Sequence, residues 1–174
     1  MSPRRCTSIV VAVILAAASR LGAQELNARL PGPTTMAQLS GPRFGATFVP
    51  QRARAELASK GIEVGGVMSQ FGWQFERLFL SGDGQMAAVS EFVLLVGGLD
   101  QGTFLPSLNW VIGARHIGGV EFGVGPNLSA AGSALVIAAG VTRRSGSMNF
   151  PVNVSVVPSK FGTRVSVLTG FTVR

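Results

Sequence analysis

The sequence predicts an all-β chain: an antiparallel up-and-down meander closing into a β-barrel of about eight strands. Three observations carry this reading. Bulky apolar residues alternate with small or polar ones at a period of two through most of the chain. Turn signals rich in Gly and Ser recur at the spacing of a meander, with nothing to suggest strand–helix–strand units. Charged residues make up only 13% of the chain, against about 25% in an ordinary soluble domain. Yet no apolar run after residue 24 is long enough for a membrane helix, so the apolar content is spread over many short elements.

Two segments precede the expected barrel. Residues 1–23, "MSPRRCTSIVVAVILAAASRLGA", have a basic start at Arg4 and Arg5, an apolar core from Ile9 to Ala18 and a small-residue site before Gln24. That is the anatomy of a secretory signal peptide, and the apolar run is shorter than the roughly 20 residues that span a bilayer. Cys6, the only cysteine, would leave with it, so the remaining chain could hold neither a disulfide nor a thiolate metal site. Arg4, Arg5 and Arg20 would leave too, lowering the formal charge of +7 by three. Residues 24–40, with two prolines and no clear period, read as an extended leader, and residues 41–174 as the barrel domain.

The elements follow in order. "PRFGATFV" (42–49) is a first strand, and "PQRARAELASKG" carries Ala, Arg, Glu and Leu that favour a short helix in a connection. Next come the strands "VMSQFGWQFERLFL" (67–80) and "MAAVSEFVLLVGG" (86–98), joined by the turn "SGDGQ". A looser link, "LDQGTFLP", leads to "SLNWVIGAR" (107–115); the turn "HIGG" then leads to "VEFGVGPNLS" (120–129). The last three strands are "SALVIAAGVTR" (133–143), "NFPVNVSVVP" (149–158) and "RVSVLTGFTVR" (164–174).

Within these strands the two faces differ in kind. Phe71, Trp73, Phe75 and Phe79 oppose Gln70, Gly72, Gln74 and Glu76, while Phe150, Val152, Val154 and Val156 oppose Asn149, Pro151, Asn153 and Ser155. Period two does not by itself say which face is outside, because soluble and membrane barrels are inverses of one another. The character of the weaker face does say something. A soluble barrel's outer face usually carries abundant charge, whereas small residues with sparse Arg and Glu suit the interior of a narrow barrel. The bulky face is therefore expected to point out, toward lipid, and strands of about 9 to 11 residues have the length a tilted membrane strand needs.

Over residues 41–174 this pattern resembles the small eight-stranded bacterial outer-membrane proteins, in architecture and strand pattern. The resemblance implies a Gram-negative-type envelope, both termini in the periplasm, and membrane lipid and the barrel assembly machinery as partners. Two features depart from it: the chain has no Tyr for an interfacial girdle, and it ends in Arg174 with Phe171 fourth from the end.

Sites of chemistry are sparse. His116, the only histidine, opens the "HIGG" turn with no serine in its immediate neighbourhood and reads as a solvated turn residue. One His and no Cys in the barrel make zinc improbable. "GVGPNLSAAG" (123–132) neither opens a helix nor carries a P-loop Lys, and its glycines read as thinning of an inward strand face. Arg43, Arg77, Arg115, Arg164 and Arg174 are scattered, which argues against nucleic acid. "RRSG" (143–146) and "RARAELASKG" read as a solvated turn and a solvated connection. The expectation is an outer-membrane barrel with a structural or interaction role, with no catalytic, cofactor or metal site assigned. The alternative is a soluble periplasmic or secreted barrel that binds an apolar ligand inside.

Overall fold

Alternating strands joined by short turns have one way to satisfy every backbone group without leaving edges, which is to close on themselves. The computed structural model, which describes residues 38–81 and 85–173, takes that form. Its elements are β1 (Gly41–Phe48), α1 (Gln51–Ser59), β2 (Val67–Ser81), β3 (Met86–Gly97), β4 (Leu105–His116), β5 (Val120–Ser129), β6 (Gly132–Ser145), β7 (Met148–Val157) and β8 (Arg164–Gly170). A two-residue piece, β9 (Thr172–Val173), follows β8, and a single 3-10 turn spans Leu99–Gln101. Neighbouring strands pair antiparallel in chain order, β1 pairs with β8, and the β6–β7 pairing completes the ring. The signal-peptide reading of residues 1–23 and the leader up to residue 37 lie outside the described residues.

Every expected barrel strand is present, with ends moved by one or two residues, and the short helix falls where composition placed it. Two differences have local causes. The strand expected over 133–143 runs on to Ser145, because a two-residue turn with Gly146 at φ 60° lets Ser145 pair with Met148. The last strand breaks at Phe171, next to Gly170, which stands across from Pro151 in the register that joins Val152 to Thr169 and Asn149 to Thr172. Proline has no N–H to give to a ladder, so the pairing skips it and resumes. The same gap recurs at Pro126, between the pairs Asn109–Asn127 and Ile112–Val124.

Which face is outside follows from exposure. Phe71, Trp73, Phe75, Trp110, Phe122, Ile137, Phe150 and Val152 are exposed on the outer wall, while Arg43, Gln74, Glu76, Glu91, Asn109, Arg115, Glu121 and Asn127 are buried inside. The bulky face points out, and the interior is polar. β3 departs from the simple pattern: it sends Ala87, Val89, Val93 and Leu95 inward and Phe92 and Leu94 outward, so it is apolar on both faces. The inward glycines have a packing reason. A Cβ on Gly72 would run into the Leu94 carbonyl, and one on Gly125 into the Trp110 carbonyl, so the wall could not curl as tightly with any larger residue.

The two ends of the barrel differ. The connections β2–β3, β4–β5 and β6–β7 lie at one end, here the turn end. At the opposite, loop end stand the segment carrying α1, the β3–β4 loop, the tight β5–β6 turn and the β7–β8 loop. α1 is not a solvated connection as its composition suggested: Ala53 and Leu57 are buried, and Val49 and Ala53 cluster with Met68 and Leu105. Ile62, Val64, Ala130 and Phe161 pack around that cluster, so the helix roofs the loop end. The β3–β4 loop is tied down as well. Gln101 donates to the Val67 carbonyl (2.6 Å) and accepts from the Gly65 N–H (2.6 Å), while Asp100 accepts from the Ser69 hydroxyl and N–H.

Candidate functional site

The inward face of the strands builds two polar levels, one near each end. At the turn-end level the register sets Glu76 of β2 directly opposite Glu91 of β3, a like-charge pair that would repel. On β4 and β5 it sets Arg115 opposite Glu121. Arg115 reaches across and answers all three carboxylates. Its Nη1 and Nη2 fork onto Glu76 at 2.6 and 2.5 Å, its Nε meets Glu121 at 2.6 Å, and Nη2 also reaches Glu91 at 3.2 Å. The side chains of Arg115 and Glu76 are 5% and 0% exposed, so these pairs are shielded from water.

A second ring of contacts closes this level. Asn153 of β7 donates to Glu121 at 2.5 Å. Arg43 of β1 is 1% exposed and has an acceptor for every nitrogen: Gln74 for Nε (2.9 Å), the Pro42 carbonyl for Nη1 (2.9 Å) and the Leu39 carbonyl for Nη2 (2.6 Å). Buried Leu39 in turn donates its N–H to Glu76 at 3.1 Å, and Ser40 accepts the Glu76 N–H at 2.9 Å. Residues 39–40 are thereby stitched into the barrel floor. The sequence marked these residues only as an occasional charge; the Arg115–Glu121 pair flanking a tight turn was the one signal that could have found the cluster.

The loop-end level is built differently. Asn109 and Asn127 pair across β4 and β5, with the Asn127 amide donating to Asn109 at 2.7 Å. Arg164, at the start of β8, donates to Asn127 (2.9 Å) and to the Ser129 hydroxyl (3.0 Å), both neutral. Its Nε is buried without an acceptor among the described residues, and so is the Oε1 of Gln70. Thr47 and Ser166 share a hydrogen bond of 2.7 Å on the same wall. Between this level and α1 lies a small pocket of about 50 Å³. Gln70, Asn109, Asn127 and Arg164 line it beside Leu57, Met68, Leu95, Leu105 and Val157.

The other positions weighed in the sequence sit apart from both levels. His116 is exposed at the turn end, and its Nδ1 accepts the Gly118 N–H at 3.0 Å. Arg143 and Arg144 are exposed near the same end. Gly123 and Gly125 belong to the inward face of β5, as read. Among the described residues no group of acids, histidines and cysteines is arranged to hold a metal ion. No protein-family description matches this chain, and neither the curated proteins nor the solved structures contain a significant match to it.

Proposed function

We propose that this chain is an outer-membrane β-barrel whose wall is embedded in lipid, with a structural or interaction role. One observation carries the reading: the outer wall is apolar on every side, from Phe44 and Phe71 through Trp110 and Phe122 to Ile137, Val152 and Val167, over an interior that is polar and charged. In water such a wall would far exceed the few hundred Å² of contiguous apolar surface that soluble monomers expose. The soluble alternative needs the same side chains inside as a core, and their exposure favours the membrane reading over it.

Further features support this reading. The six strands β2–β7 have 10 to 15 residues. At ~3.3 Å per residue and a tilt near 40°, such strands rise roughly 25 to 38 Å, which brackets the ~30 Å hydrocarbon core. Two polar groups on the outer wall have protein partners. The Trp110 indole donates to Ser90 at 3.0 Å, and the Thr169 hydroxyl donates to the Pro151 carbonyl at 3.0 Å. Arg77 is the charged exception on β2; its long stem can carry the guanidinium toward the headgroups at the turn end. With Arg115 and its carboxylates filling one level and α1 roofing the other, the interior suits a closed barrel better than a wide aqueous pore.

In this reading the loop end faces outward and the turn end faces the periplasm, the usual asymmetry of longer outer loops. Fractionation tests the location: the protein should pellet with outer membranes and require detergent for extraction. Recovery as a detergent-free monomer from the periplasm would refute it. Orientation is tested on whole cells with single cysteines, because Ala55→Cys on exposed α1 should react with an impermeant reagent and Ser147→Cys in the β6–β7 turn should not.

A further inference from the structure

Arg77 is exposed on the outer wall of β2 and has no hydrogen-bond or ion-pair partner among the described residues. In the register it stands opposite Ser90 of β3, whose hydroxyl oxygen accepts the Trp110 indole N–H at 3.0 Å and keeps its own O–H to give. One row nearer the loop end, Phe75, Phe92 and Trp110 stand side by side across β2, β3 and β4, all exposed, with the rings of Phe92 and Trp110 stacked at 5.3 Å. Two donors thus sit at the turn-end margin of an aromatic strip. The charge around them is one-sided. Arg143 and Arg144 are also exposed near the turn end, while Glu76, Glu91 and Glu121 are buried inside against Arg115. The exposed acids among the described residues, Glu63 and Asp100, and half-buried Glu56 all belong to the loop end.

We propose that Arg77 and Ser90 form a site on the outer wall for the phosphate of an anionic glycerophospholipid. The inference rests on the membrane reading. A guanidinium at the edge of hydrocarbon needs a partner, and where the protein offers none the headgroup layer supplies a phosphate. The planar fork of Arg77 matches two phosphate oxygens, and the Ser90 hydroxyl adds a third donor. From there the acyl chains run toward the bilayer centre over Phe75, Phe92 and Trp110. The net positive charge of this margin favours a headgroup of net negative charge over a zwitterionic one, whose own ammonium competes for the phosphate. Because the longer loops put the turn end in the periplasmic leaflet, the phosphate is that of a phospholipid and not of lipid A.

Trp110 reports on the site, because its indole is bonded to Ser90. The full chain carrying Trp73→Phe, which leaves Trp110 as the sole tryptophan, is reconstituted into phosphatidylcholine vesicles. These contain a small, equal fraction of either brominated phosphatidylglycerol or brominated phosphatidylcholine. The anionic bromolipid should quench Trp110 as though bound about fivefold more tightly than the zwitterionic one. Arg77→Gln should bring the two lipids together, whereas Arg52→Gln on exposed α1 should leave the preference unchanged. Four results would each overturn the proposal: equal quenching by the two lipids in the parent chain, a preference that survives Arg77→Gln, an equal loss in Arg52→Gln, or displacement of the bromolipid by lipid A in preference to unlabelled phosphatidylglycerol. Quenching by neither bromolipid would overturn the membrane reading, and this site with it.

Discussion

Arg115 and Arg164 both point into the barrel, one toward the turn end and one toward the loop end, and they are accommodated in opposite ways. Arg115 has three carboxylates and no nitrogen without an acceptor. Arg164 has an asparagine, a serine and a buried Nε with nothing to accept from it. The contrast separates two uses of a buried cation. At the turn end it eases a conflict that the strand register creates, since Glu76 and Glu91 stand opposite one another and Arg115 from the next strand reaches both. At the loop end the register creates no such conflict, and the guanidinium lines a pocket. The first arrangement belongs to stability, and the second leaves a buried donor unused among the described residues.

The largest expected effect comes from breaking the satisfied level. Arg115→Met leaves Glu76, Glu91 and Glu121 buried without the cation that answers them, a change that costs roughly 3 to 5 kcal/mol when one partner of a buried pair is removed. Urea unfolding of the reconstituted protein should register that loss, and Arg115→Lys should recover only part of it because one ammonium cannot fork across three carboxylates. A shift below about 1 kcal/mol would mean that the three carboxylates are already neutralised in another way.

Next in size is a cation placed on the outer wall. Val154 lies near the middle of β7, paired with Ala139 and Val167. Val154→Arg should cost roughly 2 to 4 kcal/mol in a bilayer, whereas Val154→Leu should be neutral because a lipid-facing position has room. A packed core position would typically lose about 1 to 3 kcal/mol to the extra methylene, so a clear destabilisation by Val154→Leu would contradict the outward assignment. Arg164→Gln should cost less than either charge change. Two hydrogen bonds from a charged donor to neutral partners are worth about 1.5 to 3 kcal/mol each, but the Gln amide can keep one of them, and removing a bare buried donor offsets part of the rest. A loss as large as that of Arg115→Met would erase the distinction between the levels.

The smallest effect is at the loop end. The hydrogen bonds from Ser69 hold the Asp100 carboxyl below the usual carboxylate range. A lowered folded-state pKa contributes stability that is present above the unfolded value and is lost as pH falls through the folded value. Exchange of the Ser69 amide, corrected for its intrinsic rate, should therefore accelerate as pH drops below the ordinary carboxylate range. Asp100→Asn should reproduce that acceleration at neutral pH, and an unchanged rate in the variant would remove Asp100 from the account.

Much of the architecture was legible because period two survives in any strand whose faces meet different surroundings. Phe71, Trp73 and Phe75 against Gln70, Gln74 and Glu76 is such a strand, and both its orientation and its extent were readable. For β3 only the extent was readable, since Val89, Val93 and Leu95 inside and Phe92 and Leu94 outside give no contrast between faces. The docking of α1 was illegible for another reason: Ala53 and Leu57 are too few apolar positions to announce a buried face, and only the barrel rim makes them one. The carboxylate cluster required register. Glu76, Glu91 and Glu121 lie far apart in sequence, and only strand pairing carries them to one arginine. The breaks at Pro126 and Pro151 could have been anticipated from the missing N–H.

The central claim is that the bulky face meets lipid, and the chain carries a direct reporter of it. Its two tryptophans, Trp73 and Trp110, are 47% and 42% exposed on the outer wall. Trp110 stacks on Phe92 with ring centroids 5.3 Å apart. Reconstituted into vesicles whose acyl chains carry bromine, the protein should lose most of its tryptophan fluorescence, and aqueous iodide should have little effect. Fluorescence that brominated lipid leaves intact while iodide quenches it would place both indoles in water and contradict the account.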